Sequence, residues 1–334
     1  MPWSDPASLA AIGIGAAAVS AVGTQLGLAY ARRNGMLDLP GERRSHAQPT
    51  PRGGGLGIVV ACLMLLLLVA ATTPQPLPWV LIAAGLLLVA GVGWWDDHRP
   101  IPAWPRLLAH AVAAGLLAWA MWMQGASPLA ALGAFVLGLG LVNAWNFMDG
   151  IDGLAASQAL LCGLGLACVL VDPWIALAIA IGGASLGFLP ANLPRARVFL
   201  GDVGSGALGF LMAVLLAAGF AERPVAGWPV LLLAPMAMLV DAGLTLFWRM
   251  RRGDRWWQAH AQHLFQRSSR RHGHAKVCLA YALWTLGAIG LMLVLQGRPD
   301  MLALVISIAA FAASGLFWGQ LHRTGESATE GFGS

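Results

Sequence analysis

The chain has 334 residues, of which 58% are hydrophobic and only 10% charged, with a formal net charge of +5 and a mean hydropathy of +0.71. A soluble domain carries about a quarter charged residues, so this composition excludes a water-soluble globular protein and indicates an integral membrane protein. The lack of period-two alternation excludes a membrane β-barrel, and the four cysteines, Cys62, Cys162, Cys168 and Cys278, lie in apolar runs without CxxC spacing, which excludes a disulfide framework or a thiolate metal site.

Apolar runs long enough to span a bilayer recur at 7–30, 53–71, 78–95, 104–123, 127–148, 154–171, 174–191, 203–220, 228–248, 276–296 and 299–319, which predicts an all-α, polytopic protein of about ten or eleven transmembrane helices. The segments 174–191 and 203–220 are short and Gly-rich. No long linker or internal repeat interrupts the chain, so residues 1–334 are expected to form one domain. No basic region precedes the first run, and the run is too long for a signal-peptide core, so it reads as a retained helix. With the N-terminus outside, the inner loops collect every lysine and arginine except Arg223 and Arg298 among the 20 in the chain, in accord with the positive-inside rule. The net positive charge then reflects topology and calls for no nucleic-acid partner.

The outer loops hold turn formers and few reactive groups, which places any chemistry on the cytoplasmic side. The first inner loop, Leu37 to Gly57, offers Arg43, Arg44, His46 and Arg52 to an anion, and Gly53 to Gly55 allow close backbone approach; a basic loop against anionic lipid is the plainer alternative. The second opens GWWDDHRP. Asp96 and Asp97 point about 100° apart on a helix, so they share a target only if the helix ends there, as Pro100 and Pro102 suggest. Adjacent carboxylates favour a hard cation such as Mg²⁺.

The third inner loop, NAWNFMDGIDGLA, places Asn143, Asn146, Asp149 and Asp152 three residues apart, roughly on one face if the preceding helix continues, although Gly150 and Gly153 argue for a turn. Ionisable groups beside lipid are costly and mark functional sites. The fourth, ANLPRARVFLGDVGSGALGF, holds Asn192, Arg195, Arg197 and a glycine-flanked Asp202 that could simply cap the next helix. Asp241 lies inside an apolar run and needs a buried partner, expected on another helix, in a structural role. The longest inner loop, Arg249 to Lys276, carries His260 and His263 at i, i+3 among arginines. Anchoring a phosphate or sugar suits them better than zinc, for which no third ligand is apparent.

Together PTPRGGG, WWDD, NAWNFMDGIDG, FLGDVGSGALGF and HAQH, in that order, resemble the polyprenyl-phosphate N-acetylhexosamine-1-phosphate transferases, the glycosyltransferase 4 family, over about residues 38–276. The resemblance implies that undecaprenyl phosphate attacks the β-phosphorus of a UDP-N-acetylamino sugar, giving a lipid diphosphate sugar and UMP at the inner membrane of a bacterium. It implies Mg²⁺, with Mn²⁺ as an alternative, held by Asp202 and Asn146; Asp96 as the base and Asp97 as its acidic neighbour; Asp152 facing uracil with Asp149 beside it; and Arg52, Asn143, Asn192, His260 and His263 on the substrates. HAQH lacks the continuous histidine run of the muramoyl-pentapeptide enzymes, and QAHAQHLFQR followed by GHAK is similar to the branch that initiates O-antigen or other surface polysaccharides. N-acetylglucosamine and muramoyl-pentapeptide substrates are the alternatives within the family, a homodimer is left open, and a secondary transporter with Asp241 as its ion site is the alternative outside it.

Overall fold

The computed structural model describes residue 3 and residues 5–38, 48–254 and 260–330, with side chains as far as residue 323. Arg43, Arg44, His46 and Arg255 lie outside the described residues. The chain is helical almost throughout: α1 (Pro6–Arg33), α2 (Leu56–Thr72), α3 (Pro76–His98), α4 (Ala103–Met123), α5 (Pro128–Met148), α6 (Leu154–Ala167), α7 (Trp174–Asn192), α8 (Gly201–Ala221), α9 (Trp228–Leu232), α10 (Met236–Arg251), α11 (Leu264–His272), α12 (His274–Leu295) and α13 (Asp300–Glu330). One two-residue ladder, Leu37–Asp38 against Thr50–Pro51, closes the first loop.

Helix starts follow local chemistry. The Asp5 carboxylate accepts from the Ser8 N–H at 3.0 Å with Pro6 next to it, and Ser127 accepts from Ala130 N–H at 3.2 Å ahead of Pro128. Both satisfy donors that a helix start leaves open.

Among the described residues eight helices are long and apolar enough to cross a membrane, or nine if α10 and the short helical stretch before it count as one span bent by 94°. The protein is thus a multi-pass membrane protein, with fewer full spans than the eleven apolar runs predict. Each run does become helix, but apolarity does not measure continuous helix length. The run 53–71 begins with a glycine loop, leaving α2 at 17 residues. The run 154–171 stops at Ala167, so α6 has 14 residues and covers about 21 Å of a hydrocarbon core near 30 Å thick. The run 228–248 breaks at Pro235, which cannot donate a helical N–H.

The Gly-rich segment 203–220 proves to be the central helix. All but two residues of α8 are buried, and it packs against α2, α3, α4, α5, α6, α7 and α9. Its glycines explain how: a Cβ on Gly204 would collide with Leu200 and with the backbone of Gly55, and one on Gly209 would collide with the backbone of Leu141 and Val142 on α5. Small residues let helix backbones approach where lipid offers no hydrophobic drive.

Replacing Gly209 by Val must therefore separate α5 from α8, and overpacking of this kind costs about 1–3 kcal/mol. The expected outcome is a clearly lower melting temperature in detergent for Gly209→Val, whereas Gly91→Ala, where no atom lies within 4 Å of the added carbon, leaves melting unchanged.

Candidate active site

The site lies where the C-terminal ends of α3 and α5 meet the N-terminal end of α8. Asp97 sets this junction. Its carboxylate accepts from the backbone N–H of Asp202 at 3.0 Å and of Val203 at 3.2 Å, so a side chain from α3 serves the open donors and positive end of α8. The approach requires glycine on both sides. A Cβ on Gly93 would strike the Asp202 backbone, and Gly201, at φ 75°, would drive one into the Asp97 carboxylate. Asp202 is consequently not a cap for its own helix; its side chain lines the cavity and pairs with Arg106.

The PTPRGGG loop is held by the same junction. Phe199 N–H donates to Pro51 O at 2.8 Å, Gly54 N–H to Phe199 O at 2.9 Å and Gly55 N–H to Leu200 O at 2.9 Å. The glycines let this strip lie flat on FLGD, and Arg52 emerges from it paired with Asp38.

Arg106, on α4, is the residue that sequence reasoning left among the topological charges. Its guanidinium donates to Asp96 Oδ2 at 2.7 Å, to Asp202 Oδ2 at 2.9 Å and to Asn146 Oδ1 at 3.2 Å. One fork thereby joins α3, α5 and α8. Its position ten residues after Asp96, past Pro100 and Pro102, gives no periodic signal. The other oxygen of Asp96 accepts from Ile101 N–H at 2.7 Å, and Asn146 Nδ2 donates to Ser205 at 3.3 Å.

The four-residue series in NAWNFMDGIDG divides at the end of α5. Asn143 Nδ2 donates back to Leu139 O at 2.7 Å, Asn146 reaches Arg106, and Asp149 follows the last helical residue. Asp152 lies in the turn beyond, where its carboxylate accepts from Ala196 N–H at 3.2 Å and sits 3.3 Å from His274 Nδ1. Asn192 clips this turn to the next motif, accepting from Gly153 N–H at 2.6 Å and donating to Val198 O at 2.9 Å. Trp145 secures it from inside by donating to Ala155 O at 3.3 Å.

A cavity of about 200 Å³ results. Of the residues singled out by sequence, Arg52, Asp97, Asp149, Asp152, Asn192 and Asp202 line it, joined by Asp38, Gln266 and His274. It shares Asp152, Phe199 and His274 with a wider cleft of about 610 Å³ that carries Arg195, His272 and Lys276. Asp96 and Asn146 stand behind the cavity, linked to it through Arg106. Asn143, His260 and His263 line neither space. His263 is buried, its ring 4.8 Å from that of His260 and 5.7 Å from that of Phe265. Burial lowers the pKa of its imidazole, with Asp241 opposing.

The charges of the cavity suit a cation. Five carboxylates, from Asp38, Asp97, Asp149, Asp152 and Asp202, face Arg52. Burial pushes the Asp149 carboxyl up to about 8, the Asp202, Asp97 and Asp152 carboxylates adding repulsion and Arg52 opposing it. Among the described residues no three His, Cys, Asp or Glu side chains converge as a metal cage. An oxygen-rich site with few protein ligands fits Mg²⁺, which keeps waters and takes substrate phosphates to complete its shell.

Asp241 finds four of its five hydrogen-bond donors on other elements, and among the described residues none of the five is an arginine. Fully buried, it accepts from Leu264 N–H at 2.9 Å and Phe265 N–H at 3.2 Å. Tyr281 donates to it at 2.7 Å, Trp318 at 2.9 Å and Thr245 at 3.2 Å. One carboxylate thereby ties α10, α12 and α13 to the start of α11.

Comparison with known proteins defines the class. Residues 79–219 match the model of glycosyl transferase family 4. The chain is 30% identical to a decaprenyl-phosphate N-acetylglucosaminephosphotransferase of Mycolicibacterium smegmatis, over 91% of this chain and 86% of that one. It is 31% identical to the protein of the same description from Mycobacterium tuberculosis, over 83% and 80%. A phospho-N-acetylmuramoyl-pentapeptide-transferase of Synechococcus sp. is 32% identical over 51% and 56%. Membrane-embedded sugar-phosphate transfer is the class these define, which leaves no place for the transporter reading. The chain belongs to glycosyl transferase family 4, among the polyprenyl-phosphate sugar-1-phosphate transferases.

Two outcomes follow from this geometry. A lysine cannot reproduce the fork that spans Asp96, Asp202 and Asn146, so Arg106→Lys is expected to lose about 10- to 100-fold in turnover, as loss of a residue that orients the groups around a site typically does, while melting as the wild type does. For Asp149 the folded pKa lies above the ordinary 3.8, so its protonated form is the favoured one in the fold. Its contribution to stability is present at low pH and is lost as pH rises from about 4 towards 8. Melting temperature measured in EDTA should fall across that window, and Asp149→Asn should flatten the fall.

Proposed function

We propose that the protein transfers an N-acetylamino-sugar 1-phosphate from a UDP-sugar to undecaprenyl phosphate. An oxygen of the lipid phosphate attacks the β-phosphorus; a new phosphoanhydride bond forms as the bond from that phosphorus to the bridging oxygen breaks, and UMP leaves. The observation that carries this reading is the convergence of Asp97, Asp149, Asp152 and Asp202, from three separate motifs, with Arg52 around one cavity at a helix-bundle end. The product is read as the first lipid-linked sugar of a surface polysaccharide such as O-antigen, made at the cytoplasmic face of the bacterial inner membrane with the N-terminus outside.

Phosphoryl transfer depends chiefly on positioning and charge neutralisation. Asp202 would hold Mg²⁺, and the ion, when bound, neutralises the diphosphate oxygens and polarises phosphorus; resemblance assigns Asn146 to the ion as well, but its Oδ1 accepts from Arg106 and it does not line the cavity, which supports a positioning role. Arg52 emerges from the glycine strip toward the same space and is assigned to a phosphate. Asp152, fixed by His274 and Ala196, faces the uracil, with the wider cleft taking the nucleotide end; Asp149 lies between nucleotide and diphosphate. Asp97 and Asn192 act by holding the head of α8 and the glycine turn. Resemblance assigns Asp96 as base, but both its oxygens are engaged, by Ile101 N–H and Arg106. That supports an orienting role, with Asp96 aiming the guanidinium.

Asp202→Asn, purified in detergent and shown to melt normally, should release no UMP from UDP-sugar and undecaprenyl phosphate; near-normal turnover would reject the metal assignment. N-acetylglucosamine, named in the relatives of widest coverage, is the first sugar to offer in a panel that includes UDP-N-acetylfucosamine and UDP-N-acetylquinovosamine. Failure of every UDP-sugar would overturn the reading itself. For Asp96→Asn an orienting role predicts equal loss at all pH values, whereas a base predicts loss concentrated at low pH, where the lipid phosphate is partly protonated.

A further inference from the structure

Gln266 is the third residue of α11 and only 8% exposed. Its Oε1 accepts from the backbone N–H of His263 at 3.3 Å, a donor that needs an acceptor, so the carboxamide has one orientation. The next two N–H groups of the turn, those of Leu264 and Phe265, are taken by Asp241. The whole first turn is therefore fixed from below by a buried carboxylate, and the Gln266 amide nitrogen points the other way.

That nitrogen lies against Gly150 in the DGIDG turn. A Cβ on Gly150 would stand 3.1 Å from Nε2 and 3.0 Å from the Phe265 ring, so the glycine makes room for this side chain. Gln266 lines the cavity, yet among the described residues its Nε2 donates to no acceptor. That nitrogen is open to the cavity, so a bound ligand can supply its acceptor. Asp149 and Asp152 flank Gly150, and neither accepts from it.

The partner's chemistry can be narrowed. Phosphate oxygens are served far better by a cation or an arginine than by a neutral amide. The nucleotide end is assigned to the cleft beyond Asp152, and Gln266 is not among the residues lining that cleft. What remains is a neutral acceptor oxygen on the sugar. We propose that Gln266 is a specificity-determining residue whose Nε2 donates to the acetamido carbonyl of the sugar. The proposal rests on the reading of the donor as a UDP-N-acetylamino sugar.

The test uses the full-length protein in detergent with undecaprenyl phosphate, the UDP-N-acetylamino sugar that wild type turns over best, and the same UDP-sugar lacking its acetyl group. Gln266→Glu keeps the acceptor for His263 and loses both donors; Gln266→Leu removes donor and acceptor at similar size. Loss of one neutral hydrogen bond corresponds to about a five- to tenfold fall in kcat/KM. That fall is expected, mainly in KM, with the acetylated donor alone. The deacetylated donor and UDP binding should change by less than about twofold, since they make no such bond. Equal loss with both donors, or no loss with either, would overturn the assignment. Unchanged UDP binding with normal melting establishes that each variant is folded. A wild type inert towards every UDP-sugar would instead overturn the proposed function, and this inference with it.

Discussion

The Asp97 carboxylate on the first N–H groups of α8 is the contact on which the rest of the site depends. A helix start has open donors and partial positive charge, and here both are met by α3, not by a residue of α8 itself. Because capping comes from outside, Asp202 in the first turn is left to face the cavity. The bond also fixes the axial position of α8, whose glycines then tolerate backbone contact with α2 and α5. In a bilayer, where burial of apolar surface against a neighbouring helix gains little over burial in lipid, one charge-assisted polar joint sets register more sharply than packing can.

Around that joint the charges are arranged as opposing sets. Asp38, Asp97, Asp149, Asp152 and Asp202 gather at the cavity, while Arg195, His272 and Lys276 lie along the cleft. Arg106 holds the boundary between Asp96, Asp202 and Asn146. An anion entering this acidic set meets repulsion that a bound cation would offset. The Asp149 carboxyl is pushed up to about 8 chiefly by burial, with the Asp202, Asp97 and Asp152 carboxylates adding repulsion.

Much of this was legible in the sequence because polar residues are so sparse in it. Carboxylates at loop ends of apolar runs, and glycines beside them, marked the motifs that converge. Periodicity carried the reading only as far as Met148: beyond the end of α5 the three-residue spacing of Asp149 and Asp152 no longer describes a face, and Asn143 turns back on its own helix. The glycine content of 203–220 was ambiguous because glycine both weakens helices and permits close packing; only the neighbours of α8 decide between these. Arg106 was illegible for a different reason. A membrane chain places many arginines on one side for topology, and sequence cannot separate a topological arginine from one that bridges Asp96 and Asp202. The HAQH motif marked the right segment, but the side chain that reaches the cavity from it is Gln266, which the histidines overshadow.

Asp241 shows how the interior of the bilayer can serve a site at its edge. An ionised carboxylate so deep is tolerable only if fully satisfied, and five donors from α10, α11, α12 and α13 satisfy it. Two of those are backbone N–H groups of α11, so the anchor fixes a segment that lies outside the spans. Phe265 and Gln266 pass that constraint to Gly150, and Gly150 lies between Asp149 and Asp152. Leu264 and Phe265 pack into the core, and the bonds to Asp241 fix the turn they begin. A single buried charge does so by making any displacement of α11 expose an unpaired anion to a low-dielectric core, a penalty that grows with the depth at which the anion is placed.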